Sequence, residues 1–218
     1  MSIIRRGSAG SEGEHMNTVI TIGRQFGSGG RELGHKLARE LQVAYYDKQI
    51  ISEIVDQTDF SKEYVKEVLE NRMSYALPAS FAQSMSFGNE HMLGQMQKIV
   101  KAQTDVIKEM ALKSSCVIVG RCADYILKDF EEINLIRLFV YSEMDSRIQR
   151  CMDRAPEGED FTYRQMRRHI KRVDKKRSRY YSDFTLQKWG DKDFYDICIN
   201  TAHIDIDKIV PDLAKMFK

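Results

Sequence analysis

The run TVITIGRQFGSGGRELGHKLAREL, from Thr18 to Leu41, limits the folds open to this chain more than any other stretch. It begins with a short apolar run rich in β-branched residues, Val19 to Ile22, which favours an extended strand. Gly23, Gly27, Gly29 and Gly30 then place four glycines in eight positions. After them Leu33, Leu37, Ala38 and Leu41 recur at helical spacing. Strand, glycine loop and helix in this order let backbone N–H groups and a helix N-terminus surround a phosphate. Glycine is needed because the chain must visit positive φ and let an anion approach the backbone.

The usual phosphate loop reads G-x-x-x-x-G-K-[ST]. Here Gly30-Arg31 stands where the lysine is expected, and Glu32 stands near the Ser/Thr place. The rest of the chain has to show whether a glycine loop without its lysine still binds phosphate.

Four further β-like runs follow the first: Val43–Tyr46, Cys116–Val119, Leu135–Tyr141 and Tyr195–Ile199. Helical stretches separate them, an alternation that implies an α/β fold with a parallel sheet covered on both faces. Ligands bind such sheets at the carboxyl ends of the strands. Those ends are Gly23, Asp47, Gly120-Arg121, Ser142 and Asn200-Thr201. Between the second and third runs, Met92, Met96, Ile99, Val100, Val106, Ile107 and Met110 mark a strong helix. Residues 74–90 are rich in Ser, Ala, Phe and Met, which reads as helix–helix core or as a repacking flap. Thr162 and Gln165 predict a capping box. Pro211 fits the first turn of the last helix, which puts its start near Lys208.

A net charge of +2 on 218 residues gives no global field for nucleic acid, which is disfavoured as a partner. The local exception is Arg164 to Arg179, with nine Lys/Arg in sixteen positions. A solvated basic helix, a nucleic-acid face and a lid closing on phosphates remain open readings of it. No segment approaches the roughly 20 apolar residues that span a bilayer. Cys116, Cys122, Cys151 and Cys198 form no C-x-x-C pair, so reduced thiols and a cytoplasmic location are expected. Residues 1–15 read as a disordered leader or a tag remnant, and 16–218 as one domain.

The motifs GRQFGSGGRELG (23–34), AYYDKQII (44–51), VIVGRCADYIL (117–127), SEMDSRIQRCMDR (142–154) and VDKKRSRYY (173–181), followed by YDICINT (195–201), resemble the cytidylate kinase-like family. The resemblance implies a P-loop nucleoside monophosphate kinase: a three-layer fold, strand order 2-3-1-4-5, a helical NMP-binding insertion (about 48–113) and a lid (about 155–181). It implies ATP and Mg²⁺ as cofactors and a nucleoside monophosphate, cytidylate by family default, as phosphate acceptor. ATP phosphates would be held by Gly27, Ser28, Gly29, Gly30, Arg31 and Glu32, with Thr201 beside them. Asp47, Arg121, Asp124, Arg147 and Asp174 would face the acceptor, and Arg177 and Arg179 the transferring phosphates.

Arg31 and Lys48 are the candidates to act for the lysine. Glu32 is either a ligand for Mg²⁺ or a first-turn acid on the helix dipole. Cys122 stands where the family has an acid, and Asp124 lies close enough to substitute. Arg147, Arg150 and Arg154 share one helix face. Two readings compete with an active kinase: a nucleotide-binding or regulatory protein of the same fold, and a dinucleotide-binding domain with Asp47 on the ribose. Glu32 at the third glycine place of G-x-G-x-x-G disfavours the latter.

Overall fold

The computed structural model describes residues 16–69, 90–156 and 161–217. Five strands form one parallel sheet in the order β2-β3-β1-β4-β5. They are β1 (Asn17–Arg24), β2 (Ala44–Tyr46), β3 (Cys116–Val119), β4 (Ile133–Tyr141) and β5 (Ile197–Asn200). The helices are α1 (Gly30–Leu41), α2 (Gln49–Asp56), α3 (Lys62–Glu67), α4 (Glu90–Lys113), α5 (Ala123–Ile126), α6 (Met144–Met152), α7 (Tyr163–Thr185) and α8 (Ile206–Met216).

Strand alternation assigns side chains to two cores. Val19, Cys116 and Ile118 face Ile50, Ile54, Val65, Ile99 and Ile107 of α2, α3 and α4. Ile20, Ile22, Val117 and Val119 face Leu33 and Leu37 of α1 and Val210 and Leu213 of α8. With both faces covered, β3 is buried at every position, which is why it reads as a continuous apolar run. A smaller cluster, Ile148, Met166 and Ile170, joins α6 to α7 and packs beneath Phe26 of the glycine loop.

The sheet order and the alternation match the expectation, and the Thr162–Gln165 capping box is present. The last helix differs. It starts at Ile206, because Asp205 caps it by accepting from the Asp207 amide and Ile206 is buried; Pro211 therefore lies inside it. Between β2 and β3 the regular elements among the described residues are all helices. Most of the Met/Phe-rich stretch falls at 70–89, outside the described residues, as do 1–15 and 157–160. Among the described residues no helix is long and apolar enough to cross a membrane.

Candidate functional site

The chain leaves β1 at Arg24 and turns through Gly27 and Gly29, at φ +76° and +82°, before α1 begins at Gly30. The dihedral at Gly29 requires glycine, and a Cβ there would also lie 2.5 Å from Ile206 Cδ1, so that side chain would have to shift. The first α1 bond shown runs from Leu33 N to Gly29 O, 2.9 Å. No side chain caps this helix, so the amides of Gly30, Arg31 and Glu32 point out of its N-terminus. These amides and the helix dipole favour an anion.

The loop is braced from below. Ser28 is fully buried, and its hydroxyl donates to the carbonyls of Gln25 (2.9 Å) and Val140 (3.0 Å). Thr201, also fully buried, donates to the Ser28 carbonyl at 2.6 Å. Both hydroxyls are spent on main chain, and neither residue lines the cleft. Arg147 and Arg150 of α6 reach the loop together, as their spacing implies, while Arg154 lies in the turn just past the helix and reaches the first turn of α1. Arg147 donates to the Phe26 carbonyl (2.8 Å) and pairs with Asp174 of α7. Arg150 donates to the carbonyls of Gly27 (3.0 Å) and Thr201 (3.1 Å), and Arg154 reaches Glu32 at 2.5 Å. Asp174 also accepts from the Phe26 amide at 2.8 Å, which fastens α7 to the loop.

Above the loop lies a cleft of about 910 Å³. Gly27, Gly29, Gly30, Arg31, Glu32, Asp47, Lys48 and Arg177 line it, with Arg24, His35, Lys36 and His169. Asp47 binds Arg31 at 2.7 Å and lies 3.6 Å from Arg24. Glu32 accepts from Lys36 (2.7 Å) and Arg154 (2.5 Å). Partial burial works against its charge, but these two donors outweigh it and hold the carboxyl below the usual range. Arg177 donates to the Arg24 carbonyl at 3.1 Å, and its guanidinium lies over the Phe26 ring. Burial lowers the pKa of both Arg24, to about 9, and Arg177, and each also feels like charges nearby.

A second, smaller cavity of about 60 Å³ opens at the carboxyl end of β3. Arg121, Asp124, Tyr180, Tyr181, Trp189 and Tyr195 line it, and Arg24 and Arg177 border both cavities. The β3 loop is strained there: Gly120, Arg121 and Cys122 have φ +79°, +59° and +54°. Gln103 of α4 holds it, donating to the Arg121 carbonyl (3.2 Å) and accepting from Tyr180 (2.8 Å). Asp124 accepts from the Tyr181 hydroxyl at 2.7 Å. Burial raises the Asp124 carboxyl above its usual value despite that bond.

The sequence-derived candidates thus divide by place. Gly27 to Glu32 (Ser28 apart), Asp47, Lys48 and Arg177 meet in the cleft, and Arg121, Asp124 and Arg177 in the smaller cavity. Arg147 and Asp174 pair beneath the loop, and Arg179 points away from both cavities toward Asp183. Of the nine basic residues of α7, Arg177 alone is not exposed, so the run is largely a solvated face with one member turned inward. Arg24, Phe26 and Gln103 were not singled out beforehand. For Arg24 the available signal was a charged residue ending the central strand of the sheet.

A family model described as the cytidylate kinase-like family matches residues 19–203. A crystal structure of an uncharacterized protein from Eubacterium ventriosum is similar at 30% identity and TM-score 0.63, covering 92% of this chain and 98% of that one. A Thermus thermophilus protein of solved structure shares the fold at 12% identity and TM-score 0.50, covering 93% and 99%. Shikimate kinase from Bacteroides thetaiotaomicron is similar at 15% identity and TM-score 0.46, covering 91% and 97%. No curated protein matches the chain. With five parallel strands in the order 2-3-1-4-5, a glycine loop after the first and a family match over most of its length, the chain belongs to the cytidylate kinase-like family.

Proposed function

We propose that the protein is an ATP-dependent phosphotransferase whose acceptor is a nucleoside monophosphate, cytidylate or a close relative. The observation that carries this reading is Arg177, which borders both the glycine-loop cleft and the cavity at the end of β3. A group placed there serves a donor phosphate on one side and an acceptor phosphate on the other. The insertion after β2 would form the acceptor domain, and α7 with the segment before it the lid.

ATP supplies the transferable phosphoryl group. An acceptor phosphate oxygen forms a bond to the γ-phosphorus as the bond from that phosphorus to the β–γ bridging oxygen breaks. The products are ADP and a nucleoside diphosphate, and a dianionic acceptor needs no general base. The work left to the chain is positioning and charge stabilisation. The Gly30, Arg31 and Glu32 amides orient the donor phosphates, Arg121 holds the acceptor, and Arg177 faces the oxygens that gain charge.

The cleft offers two carboxylates to Mg²⁺, Glu32 and Asp47, each already bonded to cations. Among the described residues no group of three or more His, Cys, Asp or Glu is placed to hold a metal. This fits an ion that arrives on the nucleotide phosphates and takes one carboxylate and waters from the site. Glu32 would become a ligand by exchanging Arg154, its exposed partner.

The test is transfer from ATP across a panel of ribo- and deoxyribonucleoside monophosphates and free nucleosides, with and without Mg²⁺. Mg²⁺-dependent formation of a diphosphate, lowered about 10³-fold in Arg177→Ala, is expected. ATP binding without turnover on any acceptor would refute the kinase reading in favour of a nucleotide-binding regulatory protein.

A further inference from the structure

The missing lysine has a physical explanation in the space above Gly30. Gly30 is the first residue of α1 and carries none of the positive dihedrals of its neighbours, so its backbone does not demand glycine. Its surroundings do. A Cβ on Gly30 would lie 2.6 Å from Arg24 Cβ, 3.2 Å from Arg24 Cγ and 3.1 Å from Val140 Cβ. The stem of Arg24 fills the volume that a side chain at this position would need. At the other end of the same side chain, a Cβ on Gly120 would collide with the Arg24 guanidinium. One arginine therefore runs from the first turn of α1 to the β3 loop, with a glycine opposite each end.

The guanidinium so placed is poorly compensated. Its side chain is 16% exposed and borders both cavities. Its ion-pair partner is Asp47, at 3.6 Å, and Asp47 is held more closely by Arg31. Arg177 adds a further positive charge beside it. A desolvated cation among cations, one side open to a cleft, is completed by a multiply charged anion. The other candidates are placed differently. Arg31 is 56% exposed and committed to Asp47, and Lys48 is exposed at the start of α2.

We propose that Arg24 takes the place of the phosphate-loop lysine, reaching the β- and γ-phosphates of a nucleoside triphosphate from the end of β1, and that Gly30 lacks a side chain in order to admit it. The charge enters the site from the strand rather than from the helix. A planar fork there contacts two phosphate oxygens at once, where a lysine offers a point charge. The assignment rests on the kinase reading for its substrate, but its chemistry requires only a polyphosphate.

The experiment moves the charge. Arg24→Met keeps the stem without the cation, and R24A/G30K clears the stem and places a lysine at the helix position. Calorimetry with ATP and with inorganic tripolyphosphate is run beside phosphoryl transfer and urea unfolding. R24M is expected to lower transfer by about 10²–10⁵-fold and to weaken both ligands. R24A/G30K is expected to restore a large part of each relative to R24A. G30K alone, with Arg24 still in place, is expected to unfold at lower urea than wild type. Should R24M fail to fold, a folded R24A/G30K that binds neither ligand overturns the assignment, and one that binds supports it. Unchanged binding and transfer in folded R24M overturns it while leaving the kinase reading intact. Arg24-dependent tripolyphosphate binding in a protein with no transfer to any acceptor supports Arg24 and overturns the kinase reading instead.

Discussion

Asp174→Ala removes the carboxylate that joins α7 to the glycine loop, and its cost can be worked from the contacts. Asp174 accepts from the Phe26 amide and pairs with Arg147, whose side chain is only 4% exposed. Deleting one partner of a buried pair costs about 3–5 kcal/mol, mainly because the remaining charge stays out of water. Arg147 keeps one bond, to the Phe26 carbonyl at 2.8 Å, which places the loss near the lower end, about 3 kcal/mol. In a domain of this size each kcal/mol shifts the melting temperature by about 2–4 °C, giving a drop of roughly 6–12 °C. Asp174→Asn retains an acceptor for the Phe26 amide and should fall between wild type and Asp174→Ala. R147M/D174L, which removes both charges, should recover much of the loss. Urea unfolding followed by circular dichroism reads all three against wild type. A cost below about 1 kcal/mol for Asp174→Ala would show that the pair behaves like a solvated surface bridge, and would refute the tether.

Two further outcomes are expected. Thr201→Val should destabilise by about 1–3 kcal/mol, since it leaves the buried Ser28 carbonyl without its donor, while Thr201→Ser restores stability; a nucleotide-affinity loss with unchanged unfolding would instead make Thr201 a ligand contact. Burial raises the Asp124 carboxyl, so its contribution is fully present below the unfolded carboxylate value and is lost as pH rises through the higher folded one. Asp124→Asn should therefore gain stability relative to wild type as pH rises from about 4 toward neutrality; parallel pH profiles of the two proteins in urea would contradict this.

The framework was legible in the sequence because it rests on local rules. Parallel strands buried on both faces leave continuous apolar runs such as Cys116–Val119, and Thr162 and Gln165 form the expected cap. The grouping of Arg147, Arg150 and Arg154 followed from helical spacing alone, and all three meet the loop or its first helical turn. What escaped depends on reach across the fold. Arg24 reads in one dimension as the residue that ends a strand. Only the registry of β1 against β3 and the start of α1 shows its stem over Gly30 and its head at Gly120. Thr201 stands at a strand end where ligands bind, yet its hydroxyl is taken by the loop's own carbonyl. Pro211 was a fair marker of a helix start, but Asp205 provides a stronger one.

Trp189 is the chain's one tryptophan. Its ring meets Phe139 edge-on with centroids 5.5 Å apart, and it forms part of the wall of the smaller cavity beside Arg121 and Tyr195. The protein therefore carries a natural label at this cavity and nowhere else. Selective excitation of the indole reports on that cavity without a dye, a tag or a substitution, and the cleft over the glycine loop, which no tryptophan lines, is silent by comparison. If the two cavities take donor and acceptor as proposed, their occupancy would be followed as separate signals in a single sample, with emission for one and heat for both.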